Sequence, residues 1–167
     1  MIRLTFALVV VLLAGTSVAL AGPRAAVFPF ELSDGSLEGE LSGPRPDETR
    51  RLALLTEELR QLAARAAGYE VVDLGGLTAE IEKAAPLYKC NGCEVELARR
   101  VGANVAITGY VRKVSNLILK VFIVVRDVET GKIARVHQAD IKGNSDETWL
   151  RGVRYIVANG LVGGSGH

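Results

Sequence analysis

The sequence predicts an α/β (α+β) domain in which a mixed β-sheet of about five strands is packed by about three to four helices. Two observations lead to this fold class. In the first two thirds of the chain, short apolar segments alternate with amphipathic helical ones, which predicts helical crossovers between strands. After residue 104, three strand-like segments follow one another with short connections, which predicts a C-terminal antiparallel meander.

The first 21 residues are typical of a cleavable secretory signal peptide. Arg3 precedes an apolar run from Leu4 to Leu13, and Ala19-Leu20-Ala21 has the A-x-A pattern that signal peptidase recognises. Gly15-Thr16-Ser17 interrupts the run before it reaches the roughly 20 apolar residues that span a membrane, and no cysteine near the cut could carry a lipid. We therefore expect cleavage after Ala21, no stable membrane anchor, and a periplasmic or secreted location.

Cleavage leaves one predicted domain, residues 22–162, and a flexible tail, residues 163–167. The chain has 20 Lys+Arg and 19 Asp+Glu, and the signal segment removes only Arg3 from this balance. A neutral mature chain without a basic cluster argues against a nucleic-acid partner.

The first strand is predicted at Ala25–Phe30, with Pro29 at its end or at a sheet edge. Glu31–Pro46 contains three glycines, two prolines and four acids, and is predicted to be a long loop.

A long helix is predicted from Asp47 to Ala66, because leucines recur at spacings of three and four and Gly68 supplies the stop. Tyr69–Leu74 follows as a short strand and Leu77–Ala85 as a brief helix. Asn91 and Glu94 are spaced like a capping box, which predicts the start of another helix there.

The meander consists of Asn104–Val111, Leu117–Val128 and Lys132–Ile141. A final helix is predicted with Asn144 or Ser145 as its cap and Glu147 in the capping box. Trp149 heads its apolar stripe and is assigned to the core.

The Cys90-Asn91-Gly92-Cys93 motif is compatible with four kinds of site. In an oxidising compartment, two cysteines without a third favour a structural disulfide across a very small loop. A redox centre is the alternative, because a cysteine at a helix N-terminus has a stabilised thiolate. Haem attachment would need a histidine at Glu94, and a zinc site would need both His137 and His167 as further ligands. We expect no metal and no cofactor.

Glu31, Asp34, Glu38 and Glu40 form an acidic segment that leaves the expected carboxyl end of the first strand, the edge at which α/β sheets usually bind ligands. They are candidates for a binding loop, and the alternative is a solvated loop. His137 is expected to be a partly exposed strand residue, and no catalytic constellation is visible, so the sequence favours a protein that is not an enzyme.

Four stretches carry a resemblance to known proteins: AVFPFELSDGSLEGE, CNGCEVELARRVGA, VSNLILKVFIVVRDVETGK and IKGNSDETWLRG. The chain resembles a family of secreted bacterial proteins of unknown function, over nearly all of the mature chain. More distantly, the VFPF strand and the stretch from Leu97 to Gly109 are similar to the periplasmic domains of TolB and the curli secretion lipoprotein. That resemblance implies binding and scaffolding in the cell envelope.

The sequence thus favours an exported, non-enzymatic binding or accessory domain, with a protein of the envelope or periplasm as its partner. A periplasmic thiol-disulfide oxidoreductase that uses Cys90 and Cys93 is the alternative function.

Overall fold

Six strands form one mixed sheet within residues 22–161, which the computed structural model describes. The predicted signal peptide and the residues from 162 onward lie outside the described residues. In chain order the elements are β1 (Arg24–Val27), β2 (Glu31–Asp34), α1 (Leu37–Ser42), α2 (Pro46–Arg65), β3 (Glu70–Val71), α3 (Thr78–Ala84), α4 (Cys93–Arg100), β4 (Val105–Lys113), β5 (Leu119–Asp127), β6 (Ile133–Ile141) and α5 (Asp146–Ile156).

The strand order is β3-β1-β4-β5-β6, and β2 pairs with β4 beyond the end of β1. β1 is parallel to both β3 and β4, whereas β4, β5 and β6 form an antiparallel meander. The fold class predicted from the sequence is therefore confirmed, including the position of the meander at the C-terminal end.

The prediction of a loop over Glu31–Pro46 was wrong, because the segment contains both β2 and α1. The strand predicted at Ala25–Phe30 ends at Val27, before Pro29. The chain then forms β2, which pairs with the second half of β4. The carboxylate of Asp34 accepts hydrogen bonds from the Ser36 backbone and hydroxyl, and the Ser36 hydroxyl caps α1 by accepting from the Gly39 N–H.

Two caps also differ from the prediction. Gly92, not Asn91, precedes α4, because the backbone there has φ 115°, a left-handed value that glycine adopts without strain. Glu94, expected in the capping box, is buried instead. At α5, Ser145 is the N-cap as predicted, but Thr148 completes the capping box in place of Glu147.

Helices cover the two faces of the sheet unequally. One face packs against α2 and α5 and forms the larger core, in which Ile107, Ile123 and Trp149 are fully buried. The other face packs against α3 and α4 over β1 and β4, with Phe28 at its centre. The side chains that β6 presents to this second face, such as Val136 with 54% exposure, are open to solvent.

Candidate functional site

The four acids of the predicted binding loop go to three different places. Glu31 faces the segment after α3, where its carboxylate accepts hydrogen bonds from the backbone N–H groups of Leu87 (2.8 Å) and Tyr88 (3.1 Å). Asp34 and Glu38 converge on Lys113, and Glu40 is exposed on α1. The acids are therefore brought together only in part.

Lys113, at the end of β4, is a fully buried cation surrounded by three carboxylates. Its Nζ lies 2.7 Å from Glu48 Oε1, 3.2 Å from Asp34 Oδ2 and 3.2 Å from Glu38 Oε2. Asn144 donates to Glu48 Oε1 (2.6 Å). We call these four charged residues the lysine cage. A buried charge is stable only when it is paired and hydrogen-bonded, and the cage meets that need for Lys113.

The pKa values of the cage follow from these contacts. Burial alone would lower the pKa of Lys113, but the hydrogen bonds that it donates to Glu48, Glu38 and Asp34 outweigh burial and raise the pKa. Burial would likewise raise the pKa of Asp34, yet the hydrogen bonds from Ser36 and Lys113 lower it. Hydrogen bonds from Asn116, Lys113 and Arg45 lower the pKa of Glu38. All three groups are therefore charged at neutral pH.

The cage holds α1 against the turn between β4 and β5. Glu38 of α1 accepts hydrogen bonds from Lys113 and from Asn116 in the turn (2.9 Å). The α1 helix itself buries no residue. Its position on the domain thus depends on polar contacts that the sheet provides.

The two segments that the cage joins, α1 and the turn after β4, carry an exposed apolar surface. It consists of five of the nine large hydrophobic side chains that are exposed among the described residues, with exposures from 56% to 78%: Leu37, Leu41, Val114, Leu117 and Ile118. We call this surface the apolar end. Its two parts, on α1 and on the turn, are adjacent because Glu38 bonds to Asn116 between them.

Cys90 and Cys93 are joined by a disulfide, with their Cα atoms 5.7 Å apart. Beside it, the carboxylate of the buried Glu94 pairs with Arg126 of β5 at 2.7 Å. The sulfur of Cys90 lies 3.2 Å from the Leu87 carbonyl oxygen and 3.6 Å from Glu94 Oε2. Cys90, Cys93 and Glu94 have the spacing of metal ligands, but a sulfur in a disulfide offers no thiolate to a cation.

A cleft of about 470 Å³ opens at the carboxyl ends of β1 and β3, the edge predicted to bind ligands. Glu31, Arg60 and Asp73 line it, whereas Asp34 and Glu40 line a different groove next to α1. His137 is half-buried in β6 and Trp149 is fully buried, both as predicted.

The model of the family described as "Protein of unknown function (DUF2380)" matches residues 23–161, most of the chain. The chain belongs to this family. The resemblance to a family of unknown function that the sequence motifs indicate is thereby confirmed. No curated protein sequence matches the chain.

Solved structures are similar to this DUF2380 member to different degrees. The LpoB C-terminal domain from Escherichia coli is 17% identical, with a TM-score of 0.53 over 77% of this chain and 89% of that chain. Lipoprotein GNA1162 from Neisseria meningitidis is 16% identical, with a TM-score of 0.49 over 84% of this chain and 99% of that chain. TolB from Acinetobacter baumannii is 10% identical, with a TM-score of 0.42 over 83% of this chain and 29% of that chain. No described helix of the DUF2380 chain is long and apolar enough to cross a membrane.

The lysine cage was missed from the sequence, although two signals for it are present. Glu48 lies on the apolar stripe of α2, four residues before Leu52, and Lys113 follows Ile107 and Val111 on the inward side of β4. A charged residue at an apolar position of a regular pattern predicts a buried, paired charge. The identity of the partners was not predictable, because Asp34 and Asn144 come from distant parts of the chain.

Proposed function

We propose that this protein is a non-enzymatic binding or accessory domain of the bacterial cell envelope, and that a protein partner docks on its apolar end. The observation that carries this proposal is the concentration of exposed aliphatic side chains on the two segments that the lysine cage joins. Contiguous apolar surface on a folded domain typically marks an interaction site, because leaving it in water is unfavourable.

The construction of the apolar end supports a binding role rather than a stabilising one. α1 buries no side chain of its own, yet the ion pairs of Lys113 with Asp34 and Glu38 hold it in place. The two leucines of α1 are four residues apart and lie on one side of the helix, where they are 70% and 78% exposed. A rigid, presented apolar helix face suits docking, since little entropy is lost on binding.

A protein surface fits the apolar end better than a lipid bilayer. Bacterial membranes are anionic, and attraction to them requires clustered Lys and Arg next to the apolar side chains. Here α1 instead carries Glu38 and the exposed Glu40. The fold shared with LpoB and the predicted signal peptide are the grounds for placing the partner in the envelope.

The second candidate function is thiol-disulfide exchange by Cys90 and Cys93. Cys93 is the first residue of α4, and both cysteines are half-buried, so that the helix N-terminus favours a thiolate at Cys93. The oxygen atoms of Leu87 and Glu94 lie beside the sulfur of Cys90 and disfavour a negative charge on it. They therefore favour the disulfide over a thiolate at Cys90. Measurement of the reduction potential separates the two roles: a value far below those of known oxidoreductases supports a structural bond.

Site-specific photocrosslinking in living cells tests the docking proposal. A benzophenone side chain at Leu117 is expected to give a discrete protein adduct, whereas the same group at Tyr155, which is 59% exposed on α5, gives none. The double variant L37D/L41D should abolish the Leu117 adduct while the fold is retained, because both leucines are exposed. Identical adducts from Leu117 and Tyr155, or an adduct that persists in the double variant, would refute the proposal.

A further inference from the structure

A second surface lies on the open face of the sheet, away from the larger core. Three aromatic rings stack there side by side: Tyr88 on Tyr110, with centroids 4.9 Å apart, and Tyr110 on Phe122, with centroids 4.6 Å apart. Three cations flank the rings: Lys89, Arg112 and Lys120. We call these six residues the aromatic–basic face.

Tyr88 is held in this stack by contacts from several elements. Glu31 of β2 accepts the N–H groups of Leu87 and Tyr88, and the Cys90–Cys93 disulfide closes the segment that follows. Glu94, next to the disulfide, pairs with Arg126 of β5. The ring is thus positioned on the sheet before any ligand arrives, which lowers the entropic cost of binding.

The cations of this face are compensated only in part by the acids of the described residues. Arg112 lies directly opposite Lys120 in the register of β4 and β5, an arrangement of like charges that destabilises a sheet. Lys120 pairs with Asp140, which is 79% exposed. In residues 22–161, neither Lys89 nor Arg112 forms an ion pair, and Lys89 lies over the ring of Tyr88, 5.5 Å from its centroid.

We propose that the aromatic–basic face binds an acidic, extended segment of a protein partner. A carboxylate of the segment lies between Arg112 and Lys120 and relieves their repulsion, and an apolar side chain packs on Phe122 and the neighbouring Val124. A groove of about 220 Å³, lined by Tyr88, Tyr110 and Val124, receives the segment beside the rings. This inference is independent of the apolar end and needs no contact with it.

Single-stranded nucleic acid also binds surfaces that combine aromatic rings with cations, but it requires a continuous positive track for its phosphates. On this face Asp140 pairs with Lys120 at one end, and at the other end Arg126 is paired with the buried Glu94. The charge pattern therefore favours a short acidic peptide.

Titration of isotope-labelled protein followed by NMR tests the inference. The probe is the blocked peptide Glu-Val-Glu-Phe-Glu-Val-Glu, and its matched control replaces each Glu by Lys. We expect the acidic peptide to shift amide signals of β4, β5 and Tyr88, with a dissociation constant that rises about tenfold when ionic strength is increased from about 0.05 to about 0.5 M. The Lys peptide is expected to leave these signals unchanged.

The double variant R112Q/K120Q should weaken binding of the acidic peptide about tenfold or more. R65Q removes one exposed cation of α2, which packs on the opposite side of the sheet, and should bind as the wild type does. Three outcomes would overturn the inference: equal shifts with both peptides, shifts located outside the aromatic–basic face, or tighter binding of an oligothymidylate than of the acidic peptide. A spectrum that no peptide perturbs at millimolar concentration would do so as well.

Discussion

Two exposed segments of this DUF2380 protein, α1 and the segment that carries Tyr88, are attached to the same sheet by different chemistry. The α1 helix is held by charges, through Glu38 and the buried Lys113. The Tyr88 segment is joined to β2 by the carboxylate of Glu31, and the Cys90–Cys93 disulfide closes the turn between this segment and α4. The attachment of α1 should respond most to loss of Lys113, and the turn after Tyr88 should respond to reduction.

The largest effect is expected from removing the cation of the lysine cage. K113M removes the positive charge that pairs with the buried Glu48, so we expect the free energy of unfolding to fall by about 3–5 kcal/mol. K120M, which removes a lysine from an exposed pair, is the matched control and should change it by less than about 1 kcal/mol. Urea unfolding measures the free energy of unfolding of both variants. Equal losses in the two variants would show that the cage is not the attachment that the distances imply.

Acid should loosen α1, because its attachment depends on carboxylates of the lysine cage. The pKa values of Asp34 and Glu38 are lowered from ordinary values of 3.8 and 4.5, so their contribution to stability is present above those values and is lost as pH falls below them. The pKa of Lys113 is raised above 10.5, so its contribution is lost only as pH rises beyond that value. Hydrogen exchange should show α1 amides losing protection as pH falls below about 4. Unchanged protection of α1 over that range would contradict its attachment through the cage.

Removal of the disulfide should have a smaller effect. The variant C90S/C93S opens a very small loop, and Glu31 and Glu94 still hold the segment, so we expect a loss of about 2 kcal/mol or less. Thermal unfolding of the variant and of reduced wild-type protein should agree. Thiol titration of freshly isolated native protein supplies the control, and two free thiols there would defeat the structural reading of the bond.

The smallest effect is expected on the open face of the sheet. R112Q removes one of two like charges that lie opposite each other, so the free energy of unfolding should rise by about 0.2–0.5 kcal/mol. K120Q should raise it less, because it also removes the pair with Asp140. Chemical denaturation at low ionic strength measures the change in unfolding free energy for R112Q and for K120Q. A clear loss of stability in R112Q would mean that Arg112 has a structural role.

The sequence alone determined the elements whose periodicity is local. The leucine stripe of α2 and the alternation of β4, β5 and β6 specify a helix and a meander whatever surrounds them, because each pattern buries one face. The buried Trp149 and the Ser145 cap follow from the same local rules. The sequence motifs also indicated membership in a family of unknown function.

Only the tertiary structure decided what the polar segments do. β2 forms by pairing in parallel with β4, and α1 is held in place where Lys113 and Asn116 bind Glu38. The composition of the segment from Glu31 to Pro46 therefore indicates neither element. Asp34, one of the partners of Lys113, lies 79 positions before it in the chain. Charge pairing has no period along the sequence. The stacking of Tyr88 on Tyr110 likewise depends on a residue that is not part of a strand. Long-range electrostatic and aromatic contacts therefore remained invisible until the chain was folded.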